Sequence, residues 1–171
     1  MSDPVCIPFN RGLVSAEEFG KNAFVIDPMK TTPDIEFELG TILCDANCTR
    51  WVYVHASAAI MRYQAVGIDE NIKAAPLTRE TAEEAWGIGF AQTDFADNDF
   101  GWVAVESSRI YGLVQPHCPS GKALYTSDKP GVLGKESRGQ AKIYGAEATR
   151  STFKTEAAVP LIFTGPRTAP F

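Results

Sequence analysis

The stretch from residue 87 to residue 133 constrains the fold most, because short apolar segments alternate there with tight turns. The segments are GIGFAQ, FGWVAVE, RIYGLVQ and KALYT, with the acidic turn ADND after the first and the turn SDKPG after the last. Short runs rich in β-branched and aromatic residues, bounded by Gly, Pro, Asn and Asp, are typical of β-strands. Strands that recur every ~8–12 residues favour an all-β barrel or sandwich.

Length and charge narrow the class further. The chain has 171 residues, which suits one domain, and a formal net charge of -5 without clusters of Lys or Arg. This balance disfavours a nucleic-acid partner, since such proteins need a basic footprint against phosphates. No stretch approaches the ~20 apolar residues that span a bilayer, and the first thirty residues lack the apolar run of a signal peptide, so we expect neither a membrane partner nor secretion.

The cysteines predict little cross-linking. We expect Cys6, Cys44, Cys48 and Cys118 to be free thiols in a reducing compartment, because four cysteines in a chain of this length are too sparse for a disulfide scaffold.

Prolines set residues 1–36 apart from the rest. Because proline fixes φ and lacks a backbone donor, we predict an extended N-terminal arm there. Within it Val5, Ile7 and Phe9 alternate with Cys6 and Pro8, which places three apolar side chains on one face of an extended segment. Such a face needs a partner surface, so these three residues are the candidate interface. We predict a β-rich, barrel-like domain over residues 37–163 and an extended C-terminal tail over residues 164–171.

The domain begins with a predicted hairpin, FELGTILCDA and RWVYVHAS, whose second strand is apolar or aromatic on both faces and therefore buried. LTRETAEEAW predicts one short helix, with Thr78 or Thr81 as N-cap, a capping box of Thr81 and Glu84, and Gly87 at its end. Pro160 favours an edge position for the last strand, or the first position in a strand. The remaining candidate strands are YQAVGIDE, KIYGAEAT, STFKTEAA and VPLIF. The sequence thus predicts an all-β fold, a compact β-barrel or β-sandwich with one short helix insertion and extended N- and C-terminal arms.

Residues capable of thiol or metal chemistry are present, but their spacing is weak. His117 and Cys118 are adjacent, so on a strand their side chains point to opposite faces and do not form a dyad. A thiol enzyme would need His55 to reach Cys118 through the fold. Cys44 and Cys48 have a spacing compatible with structural zinc, with His55, His117 or Cys118 as further ligands, yet no second ligand pair follows as a motif. We therefore predict no catalytic residues, no metal and no cofactor.

Two further patterns have structural explanations. The run of Asp94, Asp97, Asn98 and Asp99 lacks the register of a calcium loop and contains the residues that tight turns prefer. The tryptophans at positions 51, 86 and 102 fit a stacking platform for sugars or bases, but Trp in a β-rich domain is more often core.

The residues from about 60 to 133 carry a family resemblance. The pattern comprises a strand ending in G-x-A, an acidic turn, a W-V-x-V strand and a P-G-x-L turn. It lies in GIDENIKAAPLT and the later WGIGFAQTDFADNDFGWVAVESSRIYGLVQPHCPSGKALYTSDKPGVL. In this pattern the chain resembles the head decoration, or cement, proteins of tailed bacteriophages. The resemblance implies a β-barrel-like domain on the outer surface of the virion, made in the host cytoplasm. It also implies a homotrimer bound to the major capsid protein, without cofactor or turnover.

The alternatives differ in class. A head-fibre, minor shell or tail component would share the structural role. A small β-barrel ligand- or carbohydrate-binding module, or a thiol or metal enzyme, would instead use Cys118, His117 or the tryptophans.

Overall fold

The computed structural model describes residues 26–45 and 47–164. These residues form nine strands and one short helix. In chain order they are β1 (Ile42–Cys44), β2 (Arg50–Ala56), β3 (Ala65–Ile68), β4 (Lys73–Pro76), α1 (Arg79–Glu84), β5 (Gly87–Ala91), β6 (Phe100–Val114), β7 (Ala123–Tyr125), β8 (Lys142–Ala148) and β9 (Ala157–Phe163). The predicted all-β class is confirmed.

Five of the strands close into a barrel. The order is β2, β4, β3, β5 and β6, and β6 returns to pair with β2 along the register Trp51–Ala104 to His55–Phe100. All of these pairs are antiparallel except β2 with β4, where His55 pairs with Lys73. Closure removes the free edges that an open sheet would expose. β1 adds to the outside of β2 as the predicted hairpin.

A second sheet contains the second half of the long strand β6. β6 has 15 residues, and its register shifts between Ser107 and Ile110, which marks a β-bulge. Its first half belongs to the barrel, and its second half pairs with β9 in a sheet of order β6, β9, β8 and β7. A bulge bends a strand and raises its local twist, which lets one strand serve two sheets.

The core has two parts. Inward side chains of the barrel strands form one cluster around Val54, Ile68 and Val103. The other joins the opposite face of the barrel strands to the inner face of the second sheet, where Phe90 meets Phe163 with ring centroids 5.1 Å apart. Both faces of β2 are buried, as predicted for that strand.

The helix is where predicted, but its ends differ from the prediction. Thr78 is the N-cap, and the capping box pairs it with Thr81: each side-chain oxygen accepts from the other residue's backbone N–H. The predicted box of Thr81 and Glu84 is therefore wrong. α1 ends at Glu84, and Gly87 already belongs to β5, so this glycine does not end the helix.

Two strand predictions also need correction, and one strand is missing from the prediction. FGWVAVE and RIYGLVQ are one continuous strand, β6, because the bulge bends the chain without breaking it. STFKTEAA is not a strand until Ala157. β4, with the weak strand sequence KAAP, was not predicted at all.

Pro160 lies in the middle of a strand that is paired on both sides, so the predicted edge position is wrong. The backbone amide and hydroxyl of Thr149 both donate to its carbonyl at 3.0 Å. In an antiparallel strand the nitrogen and carbonyl of one residue face the same neighbour. The proline nitrogen thus faces β8 just beyond the last pair, Ala148 with Leu161, where only the reciprocal bond to Thr149 is missing.

The predicted arms lie largely outside the described residues, and so do the candidate interface residues Val5, Ile7 and Phe9. The described end of the N-terminal arm contacts the domain. Thr32 and Phe100 exchange backbone hydrogen bonds of 2.9 and 2.7 Å, and the Glu36 amide donates to the Tyr53 hydroxyl at 3.0 Å. Within the described residues, no helix has the length and apolar character needed to cross a membrane.

Candidate interaction surface

The structure separates His117 from Cys118. His117 is exposed in a turn at φ 60°, whereas Cys118 is buried and its amide donates to the Thr152 hydroxyl at 2.9 Å. Burial raises the pKa of the Cys118 thiol, which keeps it in the neutral form at pH 7. A neutral, buried thiol is a poor nucleophile, so the arrangement favours a packing role for Cys118.

The residues considered as zinc ligands are dispersed. Cys44 is buried in β1, Cys48 is exposed in the turn that follows, and His55 is stacked on Phe100 with ring centroids 4.6 Å apart. Among residues 26–45 and 47–164, no group of three or more His, Cys, Asp or Glu side chains is arranged to hold a metal ion.

Side chains of the acidic run accept hydrogen bonds from backbone amides, one across the fold and one within the turn. Asp94 accepts from the Arg62 amide at 2.8 Å, Asp99 accepts from the Ala96 amide at 2.9 Å, and Asn98 adopts φ 68°. Asn tolerates this left-handed region better than most residues. The interpretation of this run as turn chemistry is therefore supported.

Two of the three tryptophans are core. Trp51 and Trp102 are 4% and 2% exposed, so neither supplies a stacking platform at the surface. Trp102 packs on Tyr53 with ring centroids 5.0 Å apart, and the Trp51 indole donates to Asp45 at 3.2 Å. Trp86 is 36% exposed, just after α1.

A polar recess of about 490 Å³ opens between the start of α1 and the loops around β7 and β8. Several of its side chains are already hydrogen-bonded: Gln140 donates to Asp128 at 2.8 Å and accepts from Thr126 at 2.8 Å. Arg79 is paired with Glu83 at 3.3 Å. Part of its lining is therefore already paired, with groups inside the recess and just outside it.

The outer face of the second sheet is the most distinctive surface of the described residues. Alternation along β6 and β9 turns Ile110, Leu161 and Phe163 inward, and this leaves apolar side chains on the side that faces away from the core. We call this surface the tyrosine face; it comprises Arg62, Tyr63, Tyr111, Lys142, Tyr144, Pro160 and Ile162.

The tyrosine face has two aromatic centres, each joined to a cation. The Arg62 guanidinium lies 4.5 Å from the centre of the Tyr63 ring, which is 5.5 Å from the Tyr111 ring. Across the sheet, the Lys142 ammonium lies 5.2 Å from the Tyr144 ring. Such cation–π contacts stabilise by roughly 0.5–1 kcal/mol at exposed sites. The contacts hold the aromatic rings and the charges together as two compact groups.

Strand pairing connects these two centres. Tyr111 pairs with Pro160, and Ile162, two residues along β9, pairs with Glu147 of β8. Gly145, at φ 78°, then adds an extra residue that restores Tyr144 to the outer side. Tyr111, Tyr144 and Ile162 are 43%, 69% and 40% exposed.

A buried amide fixes the position of Tyr111. Gln92 is 5% exposed; its Nε2 donates to the Tyr111 carbonyl at 2.9 Å, and its Oε1 accepts from the Tyr111 amide at 3.1 Å. These are the two hydrogen bonds that a neighbouring strand would make. The backbone of Tyr111 is thus held in place before any partner binds, which lowers the entropic cost of contact.

The composition of the tyrosine face is that of a protein-binding surface. Tyr and Arg are enriched at the residues that dominate interface energies, and a rigid aromatic loses little entropy on contact. The sequence alone did not single out this surface. The alternation in RIYGLV contains the signal for Tyr111, but Arg62 and Tyr63 join it only through tertiary contacts.

Comparison with known proteins adds no relative: no family model, no curated protein and no solved structure matches this chain.

Proposed function

We propose that this chain is a structural virion protein, a decoration or cement protein that binds the outer surface of a tailed-phage capsid. In this role it stabilises the shell by bridging neighbouring major capsid subunits. The observation that carries the proposal is the tyrosine face, a surface of tyrosines and cations on the outer side of the second sheet whose composition suits contact with another protein. The resemblance of residues 60–133 to this family supports it independently of the fold.

In the proposed role, the protein stabilises the shell by bridging neighbouring capsid subunits. Separating two capsid subunits would require breaking contacts to the protein that bridges them, and many symmetric copies multiply a modest contact into a large resistance. A standard interface of roughly 1,600 Å² per contact suffices for such a role. This bridging role requires a stiff domain and complementary surfaces, with no cofactor and no turnover. It does not involve nucleic acid or a membrane.

The proposed partners are the major capsid protein and further copies of the chain itself, in a homotrimer. In this proposal the arm bearing Val5, Ile7 and Phe9 contributes to the grip by adding a strand to an exposed sheet edge on a neighbour. Strand addition suits an extended segment whose alternate side chains act as anchors.

Imaging of assembled particles tests the proposal. Shells assembled with and without the protein are compared by electron microscopy. We expect external density at regular, symmetry-related positions only when the protein is present, and a higher temperature of shell rupture. Particles that bind no protein at saturating concentration would contradict the decoration role. A copy number far below that of the major capsid protein would instead favour a head-fibre, minor shell or tail component.

A ligand-binding module is the second candidate, favoured by the exposed Trp86 and by the polar recess beside α1. Glycan binding that is lost in Trp86→Ala and retained in Trp102→Phe would support this candidate against the structural role.

A further inference from the structure

We infer that the loops at one end of the second sheet form a second contact with the capsid, on a major capsid subunit other than the one bound by the tyrosine face. We call these loops the tip; it comprises residues 115–122 and 149–156. The complementary site on the capsid is an apolar pocket bordered by carboxylates. The inference rests on the proposed function and deepens it, because bridging two subunits requires two separate surfaces.

Strand order brings the two loops of the tip together. Residues 115–122 join β6 to β7 and residues 149–156 join β8 to β9, so both loops lie where β6 and β8 end. The His117 amide donates to the Phe153 carbonyl at 2.9 Å, and the Thr152 amide donates to the Cys118 carbonyl at 2.9 Å. The tip lies at the end of the strands, whereas the side chains of the tyrosine face stand perpendicular to the sheet. One molecule can therefore present the two surfaces to two neighbours.

Phe153 is the apolar anchor of the tip. Its side chain is 75% exposed, more than any other large apolar side chain of the described residues. The backbone beside it is nevertheless fixed, because the buried Thr152 hydroxyl donates to the Gln115 carbonyl at 2.5 Å and accepts from the Cys118 amide at 2.9 Å. Aromatic rings are enriched at protein interfaces, and a fixed backbone lowers the entropic cost of contact. Packing within the chain does not account for this ring, since three quarters of it remains in water.

The tip also carries an excess of positive charge. Lys122, Arg150 and Lys154 are exposed there, and none of them belongs to the four ion pairs found within residues 26–45 and 47–164. The one carboxylate of the tip, Glu156, already pairs with Lys129 at 2.9 Å. The cations are dispersed in the sequence and become neighbours only through the fold. In a chain of net charge -5, such a local excess favours an acidic partner.

Charges at the border of the tip reduce this excess without cancelling it. A Glu147 oxygen lies 3.7 Å from the position that a Cβ atom on Gly121 would take, so one unpaired carboxylate borders three unpaired cations. Lys135 and Glu136, which follow the strand of chain bonded to Gln115, offset each other. A nucleic acid would need a larger basic footprint than this. An exposed ring among a few cations fits an apolar pocket with carboxylates at its border.

Substitutions in the full-length chain test the inference. One variant carries Phe153→Ala, and another carries Arg150→Glu with Lys154→Glu. Co-sedimentation with assembled shells measures affinity at low and high salt, and scanning calorimetry measures the temperature of shell rupture. We expect each variant to bind about ten-fold more weakly at low salt and, at full occupancy, to lose most of the rise in rupture temperature. One of the contacts that join two subunits is then missing.

Two control variants isolate the ring and the charges. Phe153→Leu keeps an apolar side chain and should bind within about two-fold of the wild type. Lys73→Glu with Arg138→Glu makes the same change in net charge at exposed positions outside the tip and the tyrosine face, and should leave affinity and rupture temperature unchanged. Circular dichroism confirms that each variant is folded.

Cross-linking identifies what the tip contacts. A carbodiimide joins an ammonium group to a carboxylate that it touches, without a spacer. On decorated shells we expect Lys122 and Lys154 to be joined to Asp or Glu side chains of the major capsid protein. Cross-links from these lysines only to other copies of this chain would overturn the inference.

The remaining outcomes separate the inference from the proposed function. A wild type that decorates shells, with tip variants that bind and stabilise them normally, would contradict the inference alone. Wild-type binding to a short DNA duplex that is lost with Arg150→Glu and Lys154→Glu would reassign the tip to phosphate and also overturn it. A wild type that never binds shells would contradict the decoration role and the inference together.

Discussion

Phe163 and Phe153 are close in sequence but differ completely in environment. Phe163 is fully buried between the barrel and the second sheet, where it meets Phe90, whereas Phe153 is 75% exposed in the loop before β9. Hydrophobic stabilisation follows the apolar area removed from water, so the two identical side chains differ greatly in their contribution to the free energy of unfolding.

We predict that Phe163→Ala lowers the free energy of unfolding by about 3–5 kcal/mol, since it removes transfer free energy and leaves a cavity. Phe153→Ala is the matched control and should change it by no more than about 0.5 kcal/mol. Urea denaturation followed by tryptophan fluorescence measures both. Equal effects of the two substitutions would contradict the described position of β9.

Thiol accessibility gives a second prediction at this scale. Cys48 is exposed and Cys118 is buried with a raised pKa, so a thiol reagent near pH 8 should label Cys48 rapidly and Cys118 only after unfolding. Peptide mass mapping measures the two rates. Comparable labelling of both cysteines in the native protein would contradict the burial of Cys118.

The raised pKa of Cys118 also sets how the free energy of unfolding changes with pH. Because the folded-state pKa of Cys118 is raised, burial of the neutral thiol contributes stability fully below the unfolded pKa, about 8.5. That contribution is lost as the pH rises through the folded-state pKa.

At the scale of the element, the bulge in β6 is stabilised by buried hydroxyl groups. Ser107 and Thr49 share a hydrogen bond of 2.8 Å, and the Arg109 amide donates to the Ser107 hydroxyl at 3.0 Å. Both hydroxyl-bearing residues are buried. The contact ties the bend of β6 to the start of β2.

Ser107→Ala should therefore destabilise the fold by about 1–3 kcal/mol, because it leaves the Thr49 hydroxyl buried without this partner. Adding Thr49→Val removes the orphaned group, so the double variant should lose less than the sum of the two single variants. Thermal denaturation of the wild type, the two single variants and the double variant completes the double-mutant cycle. Strictly additive losses would show that the two hydroxyls do not interact.

The elements also show what local sequence determines. The hairpin of β1 and β2, the short helix and the turn at Asn98 follow from alternation, capping residues and turn chemistry, which act over a few neighbours. β4 could not be predicted, because KAAP forms a strand only by pairing with β2 and β3. The edge assignment of Pro160 failed for a related reason. A paired strand tolerates a proline where the ladder on the side of its nitrogen ends, and that point is set by the tertiary pairing of β8 with β9.

The candidate surface is still less accessible to sequence reasoning. Tyr63 and Tyr111 are far apart in the chain, and their contact requires the barrel, the bulge and the buried Gln92 amide together. Exposure of Tyr144 depends on the extra residue at Gly145. Local patterns predicted the all-β class correctly, but the location of the tyrosine face depends on the tertiary structure.

At the scale of the whole molecule, the arm can be tested without removing it. The triple variant Val5→Asp, Ile7→Asp and Phe9→Asp should lower shell occupancy strongly while the domain stays folded, because it replaces the proposed apolar anchors by charges. The matched control variant carries Ser2→Asp, Asn10→Asp and Ser15→Asp. It makes the same change in charge but keeps the proposed anchors. Quantitative gel densitometry of purified particles measures occupancy. Undiminished occupancy of the first variant would refute the role of the arm.

The continuity of β6 has a mechanical consequence. Tyr111 and Trp102 sit on one uninterrupted backbone, so tension applied at the outer sheet passes through covalent bonds straight into the closed ring of strands. No loop lies between them to act as a joint. The ladders of β6 with β2, β5 and β9 then resist sliding together, and the load is spread over many hydrogen bonds at once.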